Sequence, residues 1–205
     1  EVVIITGQKE AMAEERIVSR LKKGPNLTVY VAMGAEGCTY DESGRRVTEG
    51  FPRQTLTDQE RDAALAVIEG LKDAYPEVRR FESGDDFLGV SPSKVTIRLP
   101  APQDMKPEYL EYLRRMAKRS PHLKRVKLKY GGGRTADLVL SDKADALAHY
   151  FNTAKKGSRD PGRVACFGDA YRQFGSDRQV ATRFRQLVNF SMGSTQANAD
   201  APENV

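Results

Sequence analysis

Long apolar runs are missing from this chain: no stretch approaches the roughly 18 consecutive apolar residues that cross a bilayer, so no membrane segment is expected. Cysteine is scarce too. Cys38 and Cys166 lie far apart without metal-ligand spacing, which points to reduced, buried thiols in a cytoplasmic protein. No signal-peptide pattern, internal repeat or low-complexity tract is evident. The basic run Lys118 to Lys129 lacks the interleaved aromatics of a single-strand nucleic-acid binder. A solvated strand face explains that run first, attraction of an anionic sugar phosphate second and nucleic acid third, so nucleic acid is not the expected partner.

What is present reads as alternating strands and helices. With 39% hydrophobic residues among 205, the chain can bury one good core or two small ones. Val2 to Ile5, apolar on both faces, predicts a central parallel strand, followed by a helix from Glu10 to Leu21. Strands are expected at Thr28 to Ala32, Gly37 to Tyr40 and Arg45 to Val47, the last two joined across the turn Asp41-Glu42-Ser43-Gly44. Asp58 to Ala74 predicts a helix with Leu65, Ile68 and Leu71 on one face, capped by Thr57 or Asp58 and stopped by Pro76. A strand at Lys94 to Leu99, a helix at Glu108 to Lys118 opened by Pro107, and a basic-faced strand at Arg125 to Lys129 follow. Ala136 to Leu140, a helix after Asp142, Val164 to Phe167, a helix at Arg178 to Leu187 and a short strand at Val188 to Met192 complete the order.

Three places carry chemistry. The loop Gly168 to Asp177, entered from an apolar strand, holds two carboxylates, Asp169 and Asp177, which is how a sheet-based phosphotransfer enzyme grips a hard divalent cation such as Mg2+. A plain turn is the alternative. Thr6, at the end of the first strand and before a helix, is placed to hold a phosphoryl oxygen, with Gly7 and Gln8 supplying the backbone beyond it; an N-cap threonine is the other reading. Lys143 stands at the start of an amphipathic helix, where a cation is unfavourable beside the positive end of the helix dipole and calls for a compensating anion. A bound phosphate, Asp142 or solvent could each serve.

Thr6, the Lys-x-x-Ala-Leu form from Lys143, and Asp169 with Asp177, in that order and spacing, resemble the haloacid-dehalogenase-like hydrolase superfamily in its branch of capped sugar-phosphate phosphatases and phosphomannomutases. The resemblance implies an α/β fold: a Rossmann-like core with a parallel sheet, formed by residues 1–27 and 136–205, and an inserted α+β cap at 28–135. It also implies Thr6 and Lys143 as catalytic groups, Asp169 and Asp177 as Mg2+ ligands, and a small phosphorylated substrate. Lys94 and Arg98 share one strand face and are candidates for a sugar hydroxyl or second phosphate. Val95 stands where the mutases carry an arginine, so hydrolysis is expected rather than phosphoryl relocation. The superfamily's attacking Asp-x-Asp pair does not precede Thr6, which leaves the nucleophile to an upstream strand or a partner chain. The competing expectation is a non-catalytic binding or scaffold relative, with an anionic partner.

Overall fold

The computed structural model describes residues 1–84, 87–131, 134–153, 165–168 and 177–191. The chain divides into two compact units, Glu1–Arg53 with Ser141–Val205, and Gln54–Leu140. Both combine sheet and helix, so the α/β class expected from the alternating pattern holds.

In the first unit β1 (Val2–Ile5) runs parallel to β2 (Leu27–Val31), and β3 (Glu36–Tyr40) and β4 (Arg46–Val47) add antiparallel, in the order β1-β2-β3-β4. α1 (Glu10–Arg16) makes the crossover between the two parallel strands. Every residue of β2 is buried, as an apolar run inside a covered sheet should be. One face packs Val29, Val31 and Cys38 against Ala13 and Val18. The other packs Tyr30 and Ile5 against Ala144, Leu147 and Tyr150 of α4 (Lys143–Thr153) and Val180 of α5 (Arg178–Arg183). Tyr30 and His149 share a 2.8 Å hydrogen bond, and the other His149 nitrogen lies 2.9 Å from the Gly50 carbonyl, which fixes α4 to the loop behind β4. A second parallel pair joins β9 (Ala165–Gly168) and β10 (Val188–Ser191).

The second unit is a four-stranded antiparallel sheet ordered β5 (Leu88–Ser91), β6 (Lys94–Arg98), β8 (Thr135–Val139), β7 (Lys127–Gly131). α2 (Asp58–Ala74) and α3 (Pro107–Arg119) supply Ile68, Leu71, Leu110 and Leu113 to its core, alongside Val95, Ile97 and Leu138 from the strands. Thr57 caps α2 in a reciprocal box with Glu60, the two side chains satisfying each other's backbone N–H groups. Glu60 is also gripped by both Arg125 guanidinium arms at 2.8 Å, which ties the start of α2 to the segment entering β7.

Several expectations shift. The boundary expected at 27/28 falls instead at Arg53, because β2 pairs with β1 and carries the β3–β4 hairpin into the same sheet. At the other end residues 136–140 do not re-enter the first unit: Ala136 and Leu138 pair with β6 and β7 and lie in the second unit's core. Hydropathy alone gives the same apolar strand in either sheet. The first helix stops at Arg16 and passes through Ile17 into a 3-10 turn at Val18–Arg20, and the helix expected to Leu187 ends at Arg183. β5 was not expected as a strand, since a single Gly-Val-Ser stretch carries little periodicity.

Candidate active site

β1 ends at Ile5, and the next residue begins a network of backbone bonds that ties the strand end to the turn after β2. Thr6 donates its N–H to the Tyr30 carbonyl at 2.9 Å, while its own carbonyl accepts from Met33 N–H at 2.9 Å. The Thr6 hydroxyl accepts the Gln8 N–H at 3.2 Å, and the Gln8 carbonyl accepts from Ala32 at 2.8 Å. The turn is strained: Ala32, Met33 and Gly34 have φ of 49°, 62° and 96°. Glycine is required at the third position, because a Cβ there would lie 2.7 Å from Ala146 Cβ and 3.0 Å from the Asp142 carbonyl. Gly34 therefore sits against the first turn of α4, and Thr6 reaches that helix start through Met33 and Gly34.

At the helix start, Asp142 and Asp145 exchange side-chain to backbone hydrogen bonds of 3.0 and 3.1 Å. With that end capped by carboxylates, Lys143 is free to turn elsewhere. Its ammonium donates to Asp177 Oδ1 at 2.6 Å, and the two side chains are 17% and 8% exposed. The anion that a lysine at this position calls for is thus the second carboxylate of the acidic loop. Cys166 on β9 lies within electrostatic reach of both: burial pushes its thiol pKa up, Asp177 adds to the rise and Lys143 opposes it.

Two polar atoms here are buried without a hydrogen-bond partner among the described residues, Ser141 Oγ and Gln8 Oε1. Ser141 is 1% exposed, and its hydroxyl lies 3.2 Å from where a Gly34 side chain would begin. Burying such groups costs free energy unless a partner completes them, and a ligand is one such partner.

Of the residues singled out from sequence, the structure brings Lys143 and Asp177 into contact and places Thr6, Gly7 and Gln8 at the strand end beside the turn that packs on α4. Asp169 lies outside the described residues. Lys94 and Arg98 belong to the second unit; Lys94 pairs with Asp137 at 3.3 Å, and Thr96 donates to the same carboxylate oxygen. Ser141 and the Ala32–Gly34 turn were not anticipated. Gly34, shortly beyond the buried apolar strand, was the available signal for the turn, whereas Ser141 looks like any residue flanking a helix cap.

Asp177 offers the hard oxygen chemistry that Mg2+ prefers, and in sequence it follows Asp169 by eight positions. Among the described residues no group of three or more His, Cys, Asp or Glu side chains gathers around it. Asp177, already paired with Lys143, is therefore the one member of the expected ligand pair that lies among the described residues.

No protein-family model and no curated protein matches the sequence. Solved structures do match. An N-terminally truncated, IMP-bound IMP-nucleotidase of Plasmodium falciparum is 14% identical with a TM-score of 0.61, over 96% of this chain and 56% of that one. SMU.1108c from Streptococcus mutans UA159 is 13% identical with a TM-score of 0.60, over 98% of this chain and 77% of that one. Trehalose-6-phosphate phosphatase of Aspergillus fumigatus is 13% identical with a TM-score of 0.50, over 95% and 68%. This chain thus spans little more than half the length of the nucleotidase. At such identities the likeness is one of backbone and not of substrate. The chain shares the fold of these solved structures, in keeping with the α/β class expected from its sequence.

Proposed function

We propose that this chain functions in the magnesium-dependent hydrolysis of a small phosphomonoester metabolite such as a sugar phosphate. The observation that carries the reading is the largely buried Lys143–Asp177 pair at the start of α4, beside the turn that joins it to Thr6. The structural neighbours include proteins named for IMP and trehalose-6-phosphate, both phosphomonoesters.

In this reading the phosphoryl group sits where three kinds of donor meet. The Lys143 ammonium and the Thr6 hydroxyl neutralise and orient its non-bridging oxygens, the backbone beyond Thr6 at Gly7 and Gln8 positions the ester, and Ser141 can add a hydroxyl donor. Gln8 Oε1, an acceptor, cannot pair with a phosphoryl oxygen and suits a hydroxyl of the substrate instead. Bound Mg2+ would be held by Asp169 and Asp177 and would offset the charge that develops on the transferring oxygens. The attacking aspartate implied by the resemblance would come from a strand outside these residues. Lys94 and Arg98 stay candidates for recognising substrate hydroxyls or a second phosphate, since Asp137 and Thr96 on the same face supply polar partners. A cytoplasmic setting accords with the two free thiols.

The test is a panel of phosphomonoesters assayed with Mg2+ on the full-length protein. Turnover should fall by about 10²-fold or more in Lys143→Ala and in Asp177→Asn, with folding checked by circular dichroism. Near-normal turnover in either folded variant rejects the assignment.

A further inference from the structure

Lys143 and Asp177 are both spared the duty that their positions would give them. The start of α4 is capped by Asp142 and Asp145, each carboxylate accepting the other residue's backbone N–H, so the helix end does not draw on Lys143. Asp177 stands at the N-cap of α5, yet its side chain makes no capping hydrogen bond there. Instead the Lys143 ammonium donates to Asp177 Oδ1 at 2.6 Å, with both side chains largely buried. α5 has further ties to α4. Arg183 donates to Asp145 at 2.9 Å, and Val180, Phe184 and Leu187 share one apolar cluster with Ala144, Leu147 and Tyr150.

An ammonium bound to a carboxylate at this distance already has its counter-charge. A phosphoryl dianion brought to Lys143 also meets the negative charge of Asp177, and in so poorly exposed a place water and salt screen that repulsion weakly. The neighbouring Cys166 thiol, whose pKa burial pushes up, stays neutral and leaves the balance unchanged. Because the carboxylate is tethered, it competes from a fixed short distance and is never diluted away. The affinity observed for an anion is then the intrinsic affinity reduced by the fraction of molecules in which Lys143 has left Asp177.

We propose that Asp177 is a built-in competitor for the anion site at Lys143: phosphate esters and inorganic phosphate gain the ammonium only by displacing this carboxylate. The inference rests on the reading of Lys143 as the cation that meets a phosphoryl group, and it extends that reading to product release. Once hydrolysis has left inorganic phosphate at Lys143, the return of Asp177 displaces it, so the product does not hold the site.

Calorimetric titration of the full-length protein with inorganic phosphate in EDTA tests this. Asp177→Asn, which keeps an oxygen acceptor and removes the charge, should bind phosphate at least about tenfold tighter than the native chain. Asp177→Ser keeps an N-cap residue on α5 and should show the same gain, which guards against a folding defect in the first variant. Lys143→Ala/Asp177→Asn should lose the gain. Asp145→Asn removes a carboxylate from the same helix start, but one paired with Arg183, and should leave the affinity within about twofold of native. An Asp177→Asn variant that binds no tighter than native, an equal gain in Asp145→Asn, or a gain that survives Lys143→Ala overturns the competitor. If the native chain binds phosphate once Mg2+ is added, that failure leaves the phosphatase reading standing; absence of binding by every form in either buffer overturns both.

Discussion

Lys143 shows how much one position can demand of its surroundings. A lysine in the first turn of a helix opposes the dipole, and here its answer comes from Asp177, 34 positions later. Because both side chains are largely buried, removing one strands the other. Lys143→Met alone should lower unfolding free energy by about 3 kcal/mol, whereas Lys143→Met/Asp177→Leu should recover a good part of the loss in urea titrations. If the double variant is as unstable as the sum of the singles, the pair is not acting as a unit. Gly34 makes an equally specific demand. With φ at 96° and a Cβ site 2.7 Å from Ala146, Gly34→Ala should cost more than about 1 kcal/mol and shift α4 relative to the Thr6 turn, which thermal melts and Kd for inorganic phosphate would register together.

At the scale of elements, α2 was legible in sequence nearly to the residue, since Thr57, the apolar stripe and Pro76 are local signals. The capping box should be worth about 1 kcal/mol, measured as the stability lost in Thr57→Ala. Glu60 adds a pH dependence. Hydrogen bonds from Arg125, assisted by those of Thr57, hold its carboxyl near 2, down from the usual 4.5. A carboxyl with a lowered folded pKa stabilises the fold fully above 4.5, and that contribution is lost as pH falls from 4.5 toward 2. Urea midpoints compared between the native chain and Glu60→Gln should therefore converge as pH drops through this window. Elsewhere local signals failed: α1 ends early because Ile17 leaves helical geometry, and β5 is too short and too apolar on both sides of Gly89 to announce its period.

For the whole molecule, the difference lies in where the second unit begins and ends. Residues 54–140 contain α2, α3 and all four strands of one sheet with their own buried core. Expressed alone, that segment should give a cooperative thermal transition and dispersed amide resonances. A 28–135 segment should not. It carries β2 away from β1 and cuts β8 at its first residue, so Ala136, Leu138 and Val139 are lost from the core. Equal folding of both segments would show that the β8 pairing contributes little.

By itself the sequence determined the element types, the candidate groups Thr6, Lys143 and the acidic loop, and the likeness to a phosphatase fold, because period, capping and motif spacing act over a few residues. Only the tertiary structure decided that Asp177 answers Lys143, that the turn at Ala32–Gly34 joins Thr6 to α4, and which sheet receives the strands at 28–47 and 135–139. Those choices rest on pairing between strands and on burial of charge, and both depend on neighbours that are distant along the chain.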